Sequence, residues 1–380
     1  MDTWYAAMEP RYITNDSSPL LTVGDSERHL TDTLETIIAR LPPKQDYSEE
    51  KVSGFWAGPT GFAYLFLHVS SLHPHLQIAG HHAITWASRY MHGARDHVGL
   101  DSARCGMASE KLAYEAVQAC ITKDLADVRT FVSNIPAVLA GDAPDEILHG
   151  RAGTLYMLRM VRHWVPGGAP LLEPAVQSIT ESILADGPDW IWRGKPYLGA
   201  VHGDIGIVTQ LVLTTPSLAE RLKEKLDQLL QKQLPGGNWP SSVGRIGATL
   251  VQFCHGAPGF LHSLVSLRPY FVNLQQKMDA AIEKGRQCVW REGLLRKEPS
   301  ICHGIFGNAL ALSHGPQREH FLAFATPEKM NELRSKDKTM FEPADYGSKY
   351  ATISGYSLSA AWAWMTFGEH SPRLIFYNDV

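Results

Sequence analysis

Residues 254–259 read Cys-His-Gly-Ala-Pro-Gly, and residues 302–307 repeat the phrase as Cys-His-Gly-Ile-Phe-Gly, 48 residues later. A third copy at residues 201–206 reads Val-His-Gly-Asp-Ile-Gly, with valine in place of the cysteine. Cysteine is scarce, with five in 380 residues, so two in the same local frame indicate a shared role. Two thiolates and one or two imidazoles are ligands that suit zinc. The repeated phrase therefore predicts a catalytic metal site.

The Gly-x-x-Gly part of the phrase recurs along the chain. In the second copy a serine, Ser109, takes the place of the second glycine. The first glycines of the successive copies are Gly58, Gly106, Gly150, Gly203, Gly256 and Gly304. They are separated by 48, 44, 53, 53 and 48 residues. A period of this size is typical of a repeat architecture.

Each copy is followed by an apolar run with few charges, such as residues 154–158 and 207–211, which predicts a buried helix. More polar amphipathic stretches such as residues 218–233 lie between the copies. We therefore expect an all-α fold with an inner and an outer helix in each repeat. A closed ring of such pairs would gather the motif side chains around one cavity, whereas an open solenoid would separate them.

Composition limits the remaining possibilities. The chain is 44% hydrophobic and 19% charged, with a formal net charge of −4, so no nucleic-acid-binding surface is expected. No apolar run approaches 18 residues, and nothing at the start resembles a signal peptide. Five cysteines, an odd number, fit a reducing cytoplasm better than a disulfide framework. We expect one domain over residues 1–380, with residues 1–30 partly flexible, and no transmembrane segment.

Several phrases together resemble the eukaryotic branch of the LanC-like (lanthionine synthetase C-like) family. They are residues 145–153, 197–203, 236–242, 252–259 and 293–304, and the resemblance extends over roughly residues 50–365. It implies an α/α toroid of about seven helix pairs. The seventh repeat looks degenerate, because Tyr356-Ser357-Leu358 continues directly into Ser359 where the family has a glycine pair.

The resemblance also implies a set of site residues. Zinc would be held by Cys254, Cys302 and His303, and His202 would be the acid/base group. Lys297 matches a lysine that contacts glutathione in the family. Lys349 stands in the loop where the family has an arginine for the same ligand, although a lysine lacks the bidentate fork.

Further residues are candidates on weaker grounds. Arg11 is expected to fold over the cavity mouth and hold a carboxylate. His255 adjoins a metal ligand and is expected to orient it. One of Asp145 and Glu146 is expected to orient His202 or the substrate. Asp204 is either a first-turn acid favoured by the helix dipole or a group that raises the pKa of His202.

These features imply a zinc-dependent thiol transferase. Glutathione or a similar thiol would add to dehydroalanine, dehydrobutyrine or another Michael acceptor in a peptide, protein or small electrophile. The zinc-bound thiolate would attack, and His202 would protonate the resulting enolate. Two alternatives remain open: a non-enzymatic glutathione- or metabolite-binding regulatory or scaffold protein, and a lanthionine-type cyclase acting on a peptide or natural product.

Overall fold

The computed structural model describes residues 11–16, 18–95, 99–140, 142–245, 250–343 and 348–380, and these are mostly helical. One short antiparallel pair, β1 (Gln77–Ile78) and β2 (His81–His82), is present. In chain order the α-helices α1 to α16 of the described residues are Ser26–Arg40, Pro59–Leu72, Ala83–Met91, Glu110–Thr122, Leu125–Val132, Ile135–Leu139, Arg151–Trp164, Ala169–Asp186, Asp204–Thr214, Ala219–Gln231, Ala257–Leu267, Gln275–Glu292, Ile305–Ala311, Pro316–Phe324, Pro327–Lys336 and Tyr356–Met365.

Helix contacts follow the predicted inner and outer order. The inner helices α2, α4, α7, α9, α11, α13 and α16 each contact the next, and α16 contacts α2. Their outer partners are, in the same order, α3, α5, α8, α10, α12, α14 and α1. The first helix of the chain thus packs on the last inner helix. The inner helices are buried along most of their length because their sequences are apolar on nearly every side.

Glycines begin the inner helices. The residue before the first turn is a glycine in α2, α7, α9, α11, α13 and α16. In α4 that residue is Ser109, whose Oγ accepts from the Leu112 N–H at 3.4 Å. In the second phrase the residue before the helix is therefore Ser109, three residues after Gly106. Gly355 precedes α16, so the seventh repeat keeps its first glycine. The expectation that both glycines were missing there was wrong, because Leu358 replaces only the second.

The second glycine of each phrase allows a close backbone approach. A Cβ added at Gly153, Gly206, Gly259 or Gly307 would lie 2.0–2.1 Å from a carbonyl oxygen of the loop before the helix. The oxygens belong to Ile147, Ala200, Phe253 and Ile301 respectively. No side chain fits at that distance. These four glycines therefore let α7, α9, α11 and α13 pack closely against the loops that carry their motif side chains.

Backbone hydrogen bonds join these loops to one another. We call this series the loop belt. It includes Cys254 N–H to the Cys302 carbonyl (3.1 Å), Cys302 N–H to Ile353 (2.8 Å), Thr352 N–H to Trp56 (3.2 Å), Phe55 N–H to Met107 (2.7 Å), Met107 N–H to Ile147 (3.0 Å) and Ile147 N–H to Val201 (3.0 Å). The belt connects the seventh repeat back to the first at the N-terminal end of the inner helices.

The segment before α1 lies against the body of the protein. Tyr12 pairs with Leu295 in an antiparallel bridge, and Ile13 N–H donates to the Leu294 carbonyl at 2.7 Å. Residues 26–30, expected to be partly flexible, belong to α1, while residues 1–10 and 17 lie outside the described residues. No helix in the described part of the chain combines the length and apolar character needed to cross a membrane.

Candidate metal centre and active site

Cys254, Cys302 and His303 meet where the fifth and sixth inner helices begin. One ligand atom from each of the three residues lies within 4.8 Å of the others, and all three side chains are buried. They come together because Cys254 precedes α11 and the other two precede α13, and the loop belt joins Cys254 to Cys302 directly. Neighbouring repeats thus supply one compact donor set.

The donor set fits zinc. Two thiolates and one imidazole are ordinary zinc ligands, and three protein ligands leave the fourth tetrahedral position for a substrate. Tetrahedral bonding would place the three donor atoms about 3.5 Å apart, so small side-chain rotations are enough to close the site. Hydrogen bonding between the two thiols lowers the pKa of Cys254 and raises that of Cys302.

Neighbouring polar groups fix the two ligand loops. Gln252 Nε2 donates to Cys254 Sγ at 3.0 Å. The Ser300 hydroxyl accepts from the His303 N–H at 3.3 Å, and Ser359 of α16 accepts from the Ile301 N–H at 3.0 Å. Cysteine sulfur is a weak acceptor, so the Gln252 contact matters most when the sulfur is charged.

His202 is held by a buried carboxylate. Its Nδ1 lies 2.8 Å from Glu146 Oε2, and the Glu146 side chain is 1% exposed compared with 22% for His202. The same carboxylate accepts from the backbone N–H groups of Leu148, at 2.8 Å, and His149. A carboxylate fixed in this way keeps a proton on Nδ1 and leaves Nε2 to exchange a proton with a substrate.

An arc of rings surrounds His202. The ring centroids of His149, Trp192, Tyr197 and His255 lie 6.0–6.4 Å from that of His202. Burial lowers the pKa of His149 and of His255, so both stay neutral near pH 7. Because His255 directly follows Cys254, the arc runs from His202 to the metal ligands.

The other two acids proposed for this region face elsewhere. Asp145 forms an ion pair with Arg151 Nε at 2.7 Å. Asp204 forms one with Lys225 Nζ at 2.7 Å. Burial raises the pKa of Asp145 to about 7 and that of Asp204 to about 6. Of the adjacent pair Asp145 and Glu146, only Glu146 therefore contacts His202, and Asp204 is engaged by the outer helix α10.

The three proposed cationic contacts are on the surface. Lys297 is exposed, and its charge contributes to the electrostatics at Cys302. Arg11 is also exposed, and its carbonyl accepts from the Arg296 N–H at 3.1 Å, which places it beside the turn that leads to Lys297. Lys349 is exposed on the segment that leads to Ile353, the partner of Cys302 in the loop belt. Nothing in the described residues shows these side chains meeting in one site.

The family model described as lanthionine synthetase C-like protein matches residues 22–314. The chain belongs to this family. It is 30% identical over 195 residues to a protein of Danio rerio named glutathione S-transferase LANCL1, in an alignment that covers 46% of this chain and 47% of that protein. The chain thus spans about half the length of the curated relative that it matches.

A solved structure shows the same fold. The protein named nisin cyclase superposes with a TM-score of 0.52 over 92% of this chain and 95% of its own, at 14% sequence identity. At this level of identity the likeness concerns the fold alone. The predicted helical architecture of the family is therefore confirmed.

Some residues of the site could not be assigned from the sequence. Gln252 and Ser300 each lie two residues before a metal-ligand cysteine, and this matching offset was the one available signal. Trp192 lies ten residues before His202, outside any motif. Its place beside that ring depends on the fold of the loop between α8 and α9.

Proposed function

We propose that this protein is a zinc-dependent thiol transferase that adds glutathione or a similar thiol to dehydroalanine, dehydrobutyrine or another Michael acceptor. The observation that carries the proposal is the buried Cys254–Cys302–His303 donor set beside a histidine that is held by Glu146. The name of the Danio rerio relative, glutathione S-transferase LANCL1, supports glutathione as the thiol.

Zinc held by Cys254, Cys302 and His303 would supply a binding position for a thiol and lower the pKa of that thiol. Loss of the thiol proton makes its sulfur a nucleophile near neutral pH. The buried surroundings of the three ligands restrict competition from water. These residues therefore bind and position the thiol.

His202 would supply the proton that completes the addition. Attack on the β-carbon of an α,β-unsaturated amide forms the C–S bond and moves the π electrons onto the carbonyl as an enolate. Protonation of the α-carbon ends the reaction, and His202 Nε2 is the group suited to deliver that proton. Glu146 orients the ring through its contact with Nδ1.

Exposed cations would select the thiol. Glutathione carries two carboxylates, and Lys297, Arg11 and Lys349 are exposed on segments joined to the ligand loops. We assign them to carboxylate binding. The closed series of helix contacts supports a toroid of seven helix pairs within one domain, with the altered seventh phrase beside Cys302.

Two measurements on the same variants test the proposal. Zinc content is determined by elemental analysis, and glutathione addition to a dehydroalanine peptide is followed by mass spectrometry. Wild type should carry near-stoichiometric zinc and form the adduct, and Cys302→Ala should lose both. Cys288→Ala is the matched control, because Cys288 is a buried cysteine outside the triad. His202→Ala should keep zinc and lose about 10²–10⁴ in kcat.

The alternatives give different results. Zinc and thiol binding without turnover would favour a regulatory or scaffold protein over an enzyme. Reaction confined to a peptide that carries its own cysteine would favour a cyclase. A wild-type protein without zinc after expression in zinc-supplemented medium would contradict the mechanism.

A further inference from the structure

A cavity lies at the opposite end of the inner helices from the candidate metal centre. It has a volume of about 590 Å³ and is lined by the last turns of α7, α11 and α13 together with residues 370–373. The metal ligands precede the first turns of α11 and α13. The two sites are thus separated by about one inner-helix length, or about 15 Å.

Arginine dominates the lining of this cavity. Five arginines contribute, and the cavity also borders His163 and His370. The arginines are Arg159, Arg162, Arg286, Arg318 and Arg373. None of the five forms an ion pair with a carboxylate in the part of the chain that the structure describes. Since guanidinium remains charged in proteins, the cavity holds a large excess of positive charge.

Backbone carbonyls hold most of these arginines in place. Arg159 donates to the Tyr377 carbonyl at 2.9 Å and to Gln210 Oε1 at 2.8 Å. Arg162 donates to the Thr214 carbonyl at 2.8 Å, and Arg286 to Ala311 at 3.3 Å. Capping helix carbonyls in this way is a structural role. Arg162 and Arg286, however, each use only one of their five N–H donors for it. The remaining donors of Arg162 and Arg286 can reach a ligand, whereas Arg159 and Arg318 donate through Nε, Nη1 and Nη2 within the protein.

Acidic groups near the cavity do not neutralise it. Asp379 is buried and engaged by Tyr64 at 2.7 Å, His68 at 3.0 Å and Tyr156 at 3.0 Å. Glu369 influences Arg318 and Arg373 electrostatically, and its carbonyl accepts from Arg318. The Arg373 guanidinium is exposed and has no hydrogen-bond partner in the described residues. Glu369 and Asp379 are therefore two carboxylates near five arginines, and three guanidinium charges remain without a carboxylate.

We propose that this cavity is a binding site for a compact anion carrying two or more phosphate groups, either a free phosphoester or the head group of a phosphoinositide. Phosphate oxygens match the arginine fork, and two or more phosphate groups are needed to balance the three guanidinium charges left by Glu369 and Asp379. The volume falls within the range of small-molecule sites. The site is independent of the thiol chemistry at the other end of the helices.

Calorimetry with inorganic tripolyphosphate tests the proposal, with citrate as a carboxylate comparison. The double variant Arg286→Gln/Arg373→Gln should bind tripolyphosphate at least about tenfold more weakly, because charged hydrogen bonds are lost. Arg129→Gln/Lys232→Gln is the matched control, since it removes two charges from exposed sites outside the cavity. Its affinity should equal that of wild type. Thermal unfolding without ligand checks that the variants fold.

A second experiment distinguishes a soluble phosphoester from a phosphoinositide head group as the ligand. Soluble inositol trisphosphate is compared with phosphatidylcholine vesicles containing phosphatidylinositol bisphosphate. Arginine-dependent binding to both supports a head-group site, and binding to the soluble compound alone supports a free phosphoester. Equal affinity for citrate, equal affinity of the cavity variant and control, or no binding of any phosphate compound would overturn the proposal.

Discussion

At the scale of single residues, the Glu146–His202 pair would control proton transfer in the proposed reaction. Glu146 is almost completely buried and accepts two backbone N–H groups besides the imidazole. These three contacts fix the orientation of the Glu146 carboxylate. It therefore orients His202 and determines which ring nitrogen carries the proton.

Glu146→Gln should retain the shape of the side chain while removing its charge. We expect near-normal zinc content and thiol binding, with kcat lowered at least about tenfold, because an amide that can turn its NH₂ towards the ring no longer fixes the proton on Nδ1. Steady-state kinetics measures kcat and KM, and thermal unfolding checks that the variant folds. A kcat equal to that of wild type in a folded variant would contradict the positioning role of Glu146.

The local sequence was enough to bring Cys254, Cys302 and His303 together, because each occupies the same place before an inner helix. It was not enough to choose between Asp145 and Glu146, which are adjacent in the chain. That choice depends on Arg151, a first-turn residue of α7 that engages Asp145. The ion pair between Asp204 and Lys225 could not be predicted from the local sequence either, because Lys225 belongs to the outer helix of the same repeat.

At the scale of helices, the second glycine of each phrase controls the position of the ligand loop. A Cβ at Gly307 would meet the Ile301 carbonyl at 2.0 Å. Gly307→Ala should therefore push away the loop that carries Cys302 and His303. We expect a loss of about 1–3 kcal/mol in the free energy of unfolding and lower zinc content. Denaturant unfolding and elemental analysis measure these changes.

Gly167→Ala is the control for this experiment. Gly167 lies in the turn before α8, and a Cβ there meets nothing within 4 Å. Its stability and metal content should match those of wild type. Equal behaviour of the two variants would contradict the close-packing role assigned to Gly307.

His262 links two inner helices and makes their packing sensitive to pH. Its Nε2 lies 3.1 Å from the Gly307 carbonyl, and burial lowers the pKa of His262 to about 4. The folded pKa lies below the ordinary value of 6.5, so its contribution to stability is present above pH 6.5 and is lost as pH falls towards 4.

His262→Gln should weaken this dependence while retaining an N–H donor. From about pH 7.5 to about pH 5.5, wild type should lose about 1.3 kcal/mol more unfolding free energy than the variant. Urea titrations at the two pH values provide the comparison. Parallel losses in both proteins would show that His262 does not titrate with unfolding.

The repeat period predicted the inner helices well but not every start. The glycine spacing placed the starts of α7, α9, α11 and α13, because glycine precedes each first turn. It failed at α4, where Ser109 caps the helix with its hydroxyl instead. At α16 the family resemblance placed the glycine pair after Tyr356. The helix instead begins at Tyr356, and the glycine that precedes it is Gly355.

At the scale of the whole molecule, closure depends on α1, the outer partner of α16. Ile37 is fully buried in this contact region. Ile37→Ala should cost about 2–5 kcal/mol of unfolding free energy, and Glu35→Ala on the exposed side of α1 should cost little.

Cooperativity provides the readout for this prediction. If the chain is one domain, circular dichroism and tryptophan fluorescence should report a single coincident transition in wild type and both variants. Tryptophans at Trp86, Trp239 and Trp362 monitor widely separated repeats. Separate transitions for the two probes would contradict the single-domain expectation. Ring closure could not be derived from the sequence, since repeats of this period also form open solenoids.

The loop belt has a consequence for the order of events during synthesis. Cys254 leaves the ribosome well before Cys302 and His303, and the Ile353 carbonyl that anchors Cys302 comes later still. A growing chain that ends before residue 302 offers one of the three donors, which is too few to retain the proposed ion. In the proposed zinc enzyme, metal loading would therefore be a late step of maturation, and translation products truncated before residue 302 would remain metal-free whatever the cellular zinc supply.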